Sequence, residues 1–135
     1  MLRAQVFDMI EELNATVWAT LAPSKIHGIG VFALRDIPKG QRIYLMGNSG
    51  KWYVASNWEG LLPEIKELIK QRWPYAFEVQ PFQSPNDDAR LTSFINHSST
   101  PNYDHITDTA ITDILKGEEI TEDYGKFKPL TEQLV

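Results

Sequence analysis

A mainly β (α+β) single domain is the fold class this sequence predicts, with several small sheets and one inserted amphipathic helix. Three observations carry that reading. Runs of strand-forming residues are short and are broken every several residues by turn signals built on Gly, Pro, Asn and Ser. One long stretch, about residues 58–72, holds a 3.6-residue apolar period. At 135 residues the chain fits one domain, large enough for a core without disulfide or metal staples. No internal repeat, low-complexity tract or linker divides it.

Residues 3–14 read as a short amphipathic helix, with Val6, Ile10 and Leu13 on one face. TVWATL (residues 16–21) is rich in strand formers. SKIHGIG follows as a glycine-bearing turn, and VFAL (residues 31–34) resumes a strand. Pro38 and Gly40 make residues 37–40 a turn. QRIYLM (residues 41–46) reads as a strand, and residues 47–50 as a loop that could serve as a hairpin connection into residues 52–54. The insert helix carries Leu61, Leu62, Ile65, Leu68 and Ile69 on one face and Glu64, Lys66, Glu67 and Lys70 on the other, and Pro74 ends it. YAFEV (residues 75–79) alternates like a strand, and residues 81–88 form a loop. Residues 109–114 and 119–124 are further strand candidates on either side of a Lys116-Gly117 turn. The tail, residues 126–135, has no strong signal.

Composition is that of an ordinary soluble protein, 42% hydrophobic and 23% charged. Without cysteine there is no disulfide framework, thiolate nucleophile or cysteine zinc site. The N-terminal stretch has no signal-peptide run, since Asp8, Glu11 and Glu12 interrupt it, and no stretch reaches membrane-spanning length. A cytoplasmic location, with no membrane partner, is the resulting expectation. Lys+Arg 13 against Asp+Glu 18, a net charge of −5, argues against direct nucleic-acid binding and suits a cationic partner. Between positions 104 and 123 the acidic residues are Asp104, Asp108, Asp113, Glu118, Glu119, Glu122 and Asp123, with Lys116 the basic one. For most of them a solvated acidic face is the expected use.

Three runs mix residue types in ways periodic packing does not explain. In LTSFINHSSTPN (residues 91–102), Asn96 and His97 follow an apolar Phe94-Ile95 step. By itself this run reads as a capped turn with a satisfied histidine. GIGVFA (residues 28–33) formally matches the dinucleotide fingerprint, but Pro38 and Gly40 stop the chain where a long helix should follow. What the two glycines offer is backbone with little steric cover, or else a turn needing positive φ. EITEDYG (residues 119–125) ends on Tyr124, whose hydroxyl is either buried and satisfied or aimed into a pocket. His27, His97 and His105 have no metal-site spacing, so no metal is expected. No G-x-S-x-G elbow supports a serine hydrolase.

In order, the three runs resemble the SET-domain family of protein lysine methyltransferases. SKIHGIGVFALRDIPKGQRI looks like the family's opening G-x-G segment and the strand pair after it. SFINHSSTPN is similar to its R-F-I-N-H-S-C-x-P-N core, and ITDILKGEEITEDYG to its I-x-x-G-E-E-L-T-x-D-Y-G close. Tyr75-Ala76-Phe77 is a weaker match to a Y-x-F strand. The resemblance spans about residues 24–125. It leaves an N-terminal helix over 1–15, the insert near 58–72 and a tail over 126–135 within one domain, 1–135.

The resemblance implies a SET-type β-clip with a threaded C-terminal segment, and S-adenosyl-L-methionine as cofactor. His27, Gly28, Ile29 and Gly30 would approach that cofactor through backbone atoms, and Asn96 and His97 from the other side, toward its amino-acid end and its adenine. Tyr124 would be catalytic and Tyr75 would line the lysine channel. The substrate would be an accessible lysine of a protein, basic in its surroundings. The rival reading is a catalytically weak SET-like module that binds basic peptides. Departures from the pattern are Ser93 for Arg, Ser99 for Cys, and Glu122 where many members carry Phe or Tyr that controls how many methyl groups fit. The C-terminal zinc cysteines of many members are absent, so Phe127 is assigned the role of covering the cofactor.

Overall fold

The computed structural model describes the backbone of residues 2–47 and 50–127 and the side chains of residues 8–47 and 50–125. Helix α1 (Leu2–Thr16) leads into strand β1 (Ala19–Pro23), which pairs antiparallel with β2 (Ile29–Ala33) in the register Ala19↔Ala33 to Pro23↔Ile29. Strand β2 also pairs antiparallel with β8 (Glu119–Glu122), and β8 runs parallel to β5 (Asn96–His97). One sheet of order β1-β2-β8-β5 therefore holds all three unusual runs side by side. Two-residue ladders complete the β structure: β3 (Trp52–Tyr53) with β4 (Phe82–Gln83), and β6 (Tyr103–Asp104) with β7 (Thr109–Ala110). The expected α+β class of small sheets with few helices is what the chain forms. None of the helices among the described residues is long and apolar enough to cross a membrane.

Two cores divide the labour. One, built on Val31, Ile43, Leu45, Leu91, Ile95, Tyr103, Ile114 and Ile120, lies beneath the large sheet. The other joins Ile10 and Leu13 of α1, and Val17 just after it, to Ile65, Leu68 and Ile69 of α2 (Pro63–Arg72) and to Phe82. Helix α2 is the predicted insert, but Pro63 at its first turn starts it later than the apolar period suggests. Leu62 before it has no side chain able to cap, and Asn14 of α1 takes over: its Oδ1 accepts from Leu62 N at 2.9 Å and its Nδ2 donates to Gly60 O at 2.9 Å. That side chain fastens α1 to the insert.

The element boundaries differ from expectation in several places. β1 begins later, because the helix continues through Thr16, whose hydroxyl donates to Glu12 O at 2.6 Å. β2 begins earlier, taking in Ile29 and Gly30. Residues 41–46 form no regular strand. Tyr44 has φ 61°, so pairing is reduced to one bridge between Arg42 and Thr109, and Asp108 takes over the backbone: its O accepts from Ile43 N and its Oδ1 from Leu45 N. The alternating YAFEV run is a 3-10 turn (Ala76–Glu78) closed by Val79 at φ 58°. The expected loop over 81–88 contains β4 and a short helix, α3 (Pro85–Asp88), capped by Ser84 Oγ. The strand expected over 109–114 shrinks to β7, and Tyr124 leaves β8 to begin another 3-10 turn (Tyr124–Phe127).

Candidate active site

The Leu91–Phe94 segment is a 3-10 turn pinned by buried Leu91 and followed by buried Ile95, which leaves Thr92, Ser93 and Phe94 outside the core. Asn96 then enters β5 opposite Thr121 and is 7% exposed. Its Nδ2 lies 2.9 Å from Glu119 Oε2, 3.1 Å from His27 O and 3.5 Å from Ile29 O. An amide nitrogen has two hydrogens, so the two shorter contacts take them, and no hydrogen bond from a described residue reaches Oδ1.

Glu119 is the hub of this wall. Ser24 Oγ lies 2.7 Å from Glu119 Oε1 and 2.9 Å from Oε2, and the same hydroxyl accepts from Ile26 N at 2.9 Å. The chain Ser24–Glu119–Asn96 thus fixes the hairpin loop between β1 and β2, where Gly28 turns at φ 48°. Gly30 is required at its position for a different reason. A Cβ there would stand 2.4 Å from Glu119 Oε2 and 3.1 Å from Asn96 Nδ2. Sequence reasoning missed Glu119. The available signal was strand alternation: Ile120 faces the core, so Glu119 and Thr121 face the opposite side, toward the glycines.

His97 Nδ1 accepts from Tyr124 N at 3.0 Å, and the two rings lie 5.2 Å apart, tilted by 51°. Asp123 Oδ1 is 3.8 Å from the same nitrogen. A lone pair already accepting an N–H leaves no proton there for the carboxylate, so the 3.0 Å bond defines the arrangement and the ring proton sits on Nε2. The Tyr124 hydroxyl donates to Ile95 O. Burial and then the nearby Glu122 charge push its proton affinity up, so the phenol is neutral at ordinary pH. Half exposed, at 48%, its oxygen retains lone pairs for a ligand.

The three runs share one cleft of about 480 Å³, walled by His27, Gly28 and Ile29, by the residues from Ser93 to Asn96, and by Tyr124. A cleft of this size suits a cofactor. It offers the amide oxygen of Asn96, the ring of Phe94, and backbone at Gly28 with no atom within 4 Å of a would-be Cβ. Gly30 and His97 support the wall from behind rather than line it. Tyr75 stands apart, 66% exposed and outside the cleft lining. The Phe127 side chain lies outside the described residues. Among those residues no three His, Asp or Glu groups gather as a metal site.

The acidic run from Asp104 to Asp123 serves the fold more than the surface. Asp108 is buried and accepts from Tyr103 Oη at 2.7 Å, Asp113 Oδ1 accepts from Lys39 N at 2.8 Å, Asp104 Oδ1 accepts from Ile106 N at 2.9 Å, and Glu119 is spent on Ser24 and Asn96. Of the solvated acidic face expected for most of these residues, Asp113 and Glu118 are exposed members, while Asp108 and Glu122 are buried.

Over 113 residues the chain is 29% identical to a Schizosaccharomyces pombe histone-lysine N-methyltransferase, H3 lysine-4 specific, which covers 76% of this chain and 12% of that protein. The chain therefore spans about an eighth of that relative's length. Among solved structures, a chain of apo ctPRC2 in an autoinhibited state is similar over 87% of this chain and 17% of its own, at 20% identity and a TM-score of 0.44. A Plasmodium falciparum protein described as a candidate histone methyltransferase is similar over 82% of this chain and 95% of its own, at 21% identity and a TM-score of 0.39. The family model of the SET domain matches residues 28–125. That span takes in Gly28, Asn96 and Tyr124, the residues that meet at the cleft, and the chain belongs to the SET-domain family.

Proposed function

We propose that this protein is a protein-lysine N-methyltransferase that uses S-adenosyl-L-methionine and acts on an accessible lysine of a protein. The observation that carries the reading is the convergence of the His27–Gly28–Ile29 loop, Asn96 and Tyr124 on a single cleft. When bound there, the cofactor would supply an activated methyl group next to a positive sulfonium. The Asn96 Oδ1 is an acceptor suited to an ammonium at the amino-acid end, and the loop carbonyls that Asn96 and Glu119 hold in place add further acceptor character. His97, which accepts the Tyr124 N–H behind the wall, keeps its adenine assignment from the motif alone.

Tyr124 positions rather than ionises. Its O–H is committed to Ile95 O, so its oxygen can accept from the substrate amine and align the nitrogen lone pair. Lysine has a reference pKa of about 10.4, and a desolvated site beside positive charge lowers it toward the neutral nucleophile. Tyr75 keeps its channel assignment from the motif alone, since it lies outside the cleft. The named S. pombe relative acts on histone H3, and a basic peptide is the substrate class proposed here. The test is mass spectrometry of a protein extract incubated with enzyme and cofactor. New methyl-lysine that disappears with Asn96→Ala is expected. Cofactor and basic-peptide binding with no methyl-lysine would replace the enzyme by a binding module.

A further inference from the structure

Helix α1 and strand β3 enclose another pocket, of about 480 Å³, lined by Asp8, Met9, Glu12, Lys51, Trp52 and Tyr53. Among the described residues it shares none with the cleft at Tyr124. Its α1 wall also lies before residue 28, where the match to the SET-domain family begins. Asp8 and Glu12 stand one helical turn apart, so both carboxylates rise on the same side of α1. Met9, Ile10 and Leu13 are buried in the insert core and hold that side of the helix in place.

Trp52 is the unusual member. At 61% exposed it leaves most of a large apolar ring in water, yet the ring is braced. It meets the Trp73 ring edge-on, with centroids 5.6 Å apart and planes at 81°. Trp73 Nε1 in turn donates to Asp88 Oδ2 at 3.0 Å, and Arg72 Nη1 donates to Asp88 Oδ1 at 2.8 Å. A fixed, uncovered indole is the kind of side chain on which interfaces concentrate their binding energy.

The acids select the charge of the occupant. Lys51 Nζ lies 3.3 Å from Glu12 Oε2, so the pocket already admits a cation, through an exposed pair that exchanges readily. Asp8 is exposed and has no hydrogen bond or ion pair among the described residues. No three His, Asp or Glu groups gather among those residues, which leaves a metal ion too few ligands. A guanidinium uses both features at once: its flat face stacks on the indole and its N–H fork reaches a carboxylate. An ammonium is a point charge without that face.

We propose that this pocket docks an arginine side chain of the protein substrate, apart from the lysine that reacts. The identity of the occupant as substrate rests on the methyltransferase reading. That reading asks for a basic protein, and a chain of net charge −5 with an acid-and-aromatic pocket away from the cleft catches such a partner at a second point. Docking there strengthens capture without touching methyl transfer, so it acts on KM and not on kcat.

The direct probe is a lysine-free arginine–glycine repeat peptide, titrated into the full chain without cofactor and followed by calorimetry and by NMR of the indole N–H groups. Binding by the native protein is expected, with a loss of about tenfold or more in Asp8→Asn and in Trp52→Ala. Glu118→Gln makes the same charge change at an exposed carboxylate outside the pocket, and it is expected to bind like the native protein. No binding to the native protein, or an equal loss in Glu118→Gln, overturns the inference. A dimer of the native chain that Trp52→Ala abolishes gives the surface to a second copy and also overturns it. In turnover of an extract protein that the enzyme methylates, Asp8→Asn is expected to raise KM about tenfold at unchanged kcat. An unchanged KM overturns the substrate as occupant while the methyltransferase reading stands. Asp8-dependent peptide binding by a protein that methylates nothing supports the arginine site and overturns the activity, and with it the substrate as occupant.

Discussion

At Gly30 a single methyl group would stand 2.4 Å from Glu119 Oε2, an atom that also holds Asn96 and Ser24. Gly30→Ala must push that carboxylate away and release the loop between β1 and β2. The expected cost is about 1–3 kcal/mol of stability, the range for leaving buried polar groups unpaired, with a parallel loss of cofactor affinity. Urea denaturation and calorimetric titration with S-adenosylmethionine measure the two effects, and an unchanged affinity would separate Glu119 from the site. Glu122 gives a prediction with a pH signature. Burial raises its folded pKa above the ordinary 4.5, so the folded state binds its proton more tightly than the unfolded state does. Its contribution to stability is then full below the unfolded pKa and is lost as pH rises through the folded one. Glu122→Gln is expected to be more stable than the native chain at pH 7.5, by about 1–3 kcal/mol, with the advantage gone near pH 4. Equal differences at the two pH values would contradict an unrelieved buried carboxylate.

Elements that follow one strong period were legible in the sequence, and those shaped by single backbone angles were not. The apolar face of α2 is plain in Ile65, Leu68 and Ile69, all of them buried. YAFEV also alternates, yet Val79 at φ 58° closes it as a 3-10 turn, and Tyr44 at φ 61° breaks QRIYLM in the same way. No propensity announces a left-handed Val or Tyr, because tertiary contacts force it: Asp108 accepts the backbone N–H groups on either side of Tyr44. Two-residue ladders such as β3 with β4 carry too few residues to show a period. The start of α2 is another case. Leu62 gives no cap signal, and its N–H goes to Asn14, 48 residues away. Asn14→Ala is expected to cost about 1–2 kcal/mol, the worth of a helix cap, and to raise amide exchange at residues 60–66 first. Exchange that rises evenly over the whole chain would contradict a local fastening role.

Across the whole molecule, the site was legible as three separate runs but not as a network. Asn96, His97, Tyr124 and the glycines were identifiable from motif order. Glu122 stood out only as a departure from the motif and Glu119 not at all, because the pairing of β8 between β2 and β5 is what sets Glu119 toward the loop. The two cores then explain the division of the chain. One holds the sheet that assembles the cleft, and the other packs α1 against α2. The central claim is that Tyr124 serves methyl transfer at the place where these runs meet. It is tested most directly by incorporation of labelled methyl from S-adenosylmethionine into lysine, comparing the native protein with Tyr124→Phe at equal folded concentration. A fall of at least about a hundredfold, with cofactor affinity and melting temperature little changed, is the predicted result for losing a positioning group at the reacting centre. Full labelling by Tyr124→Phe would contradict it.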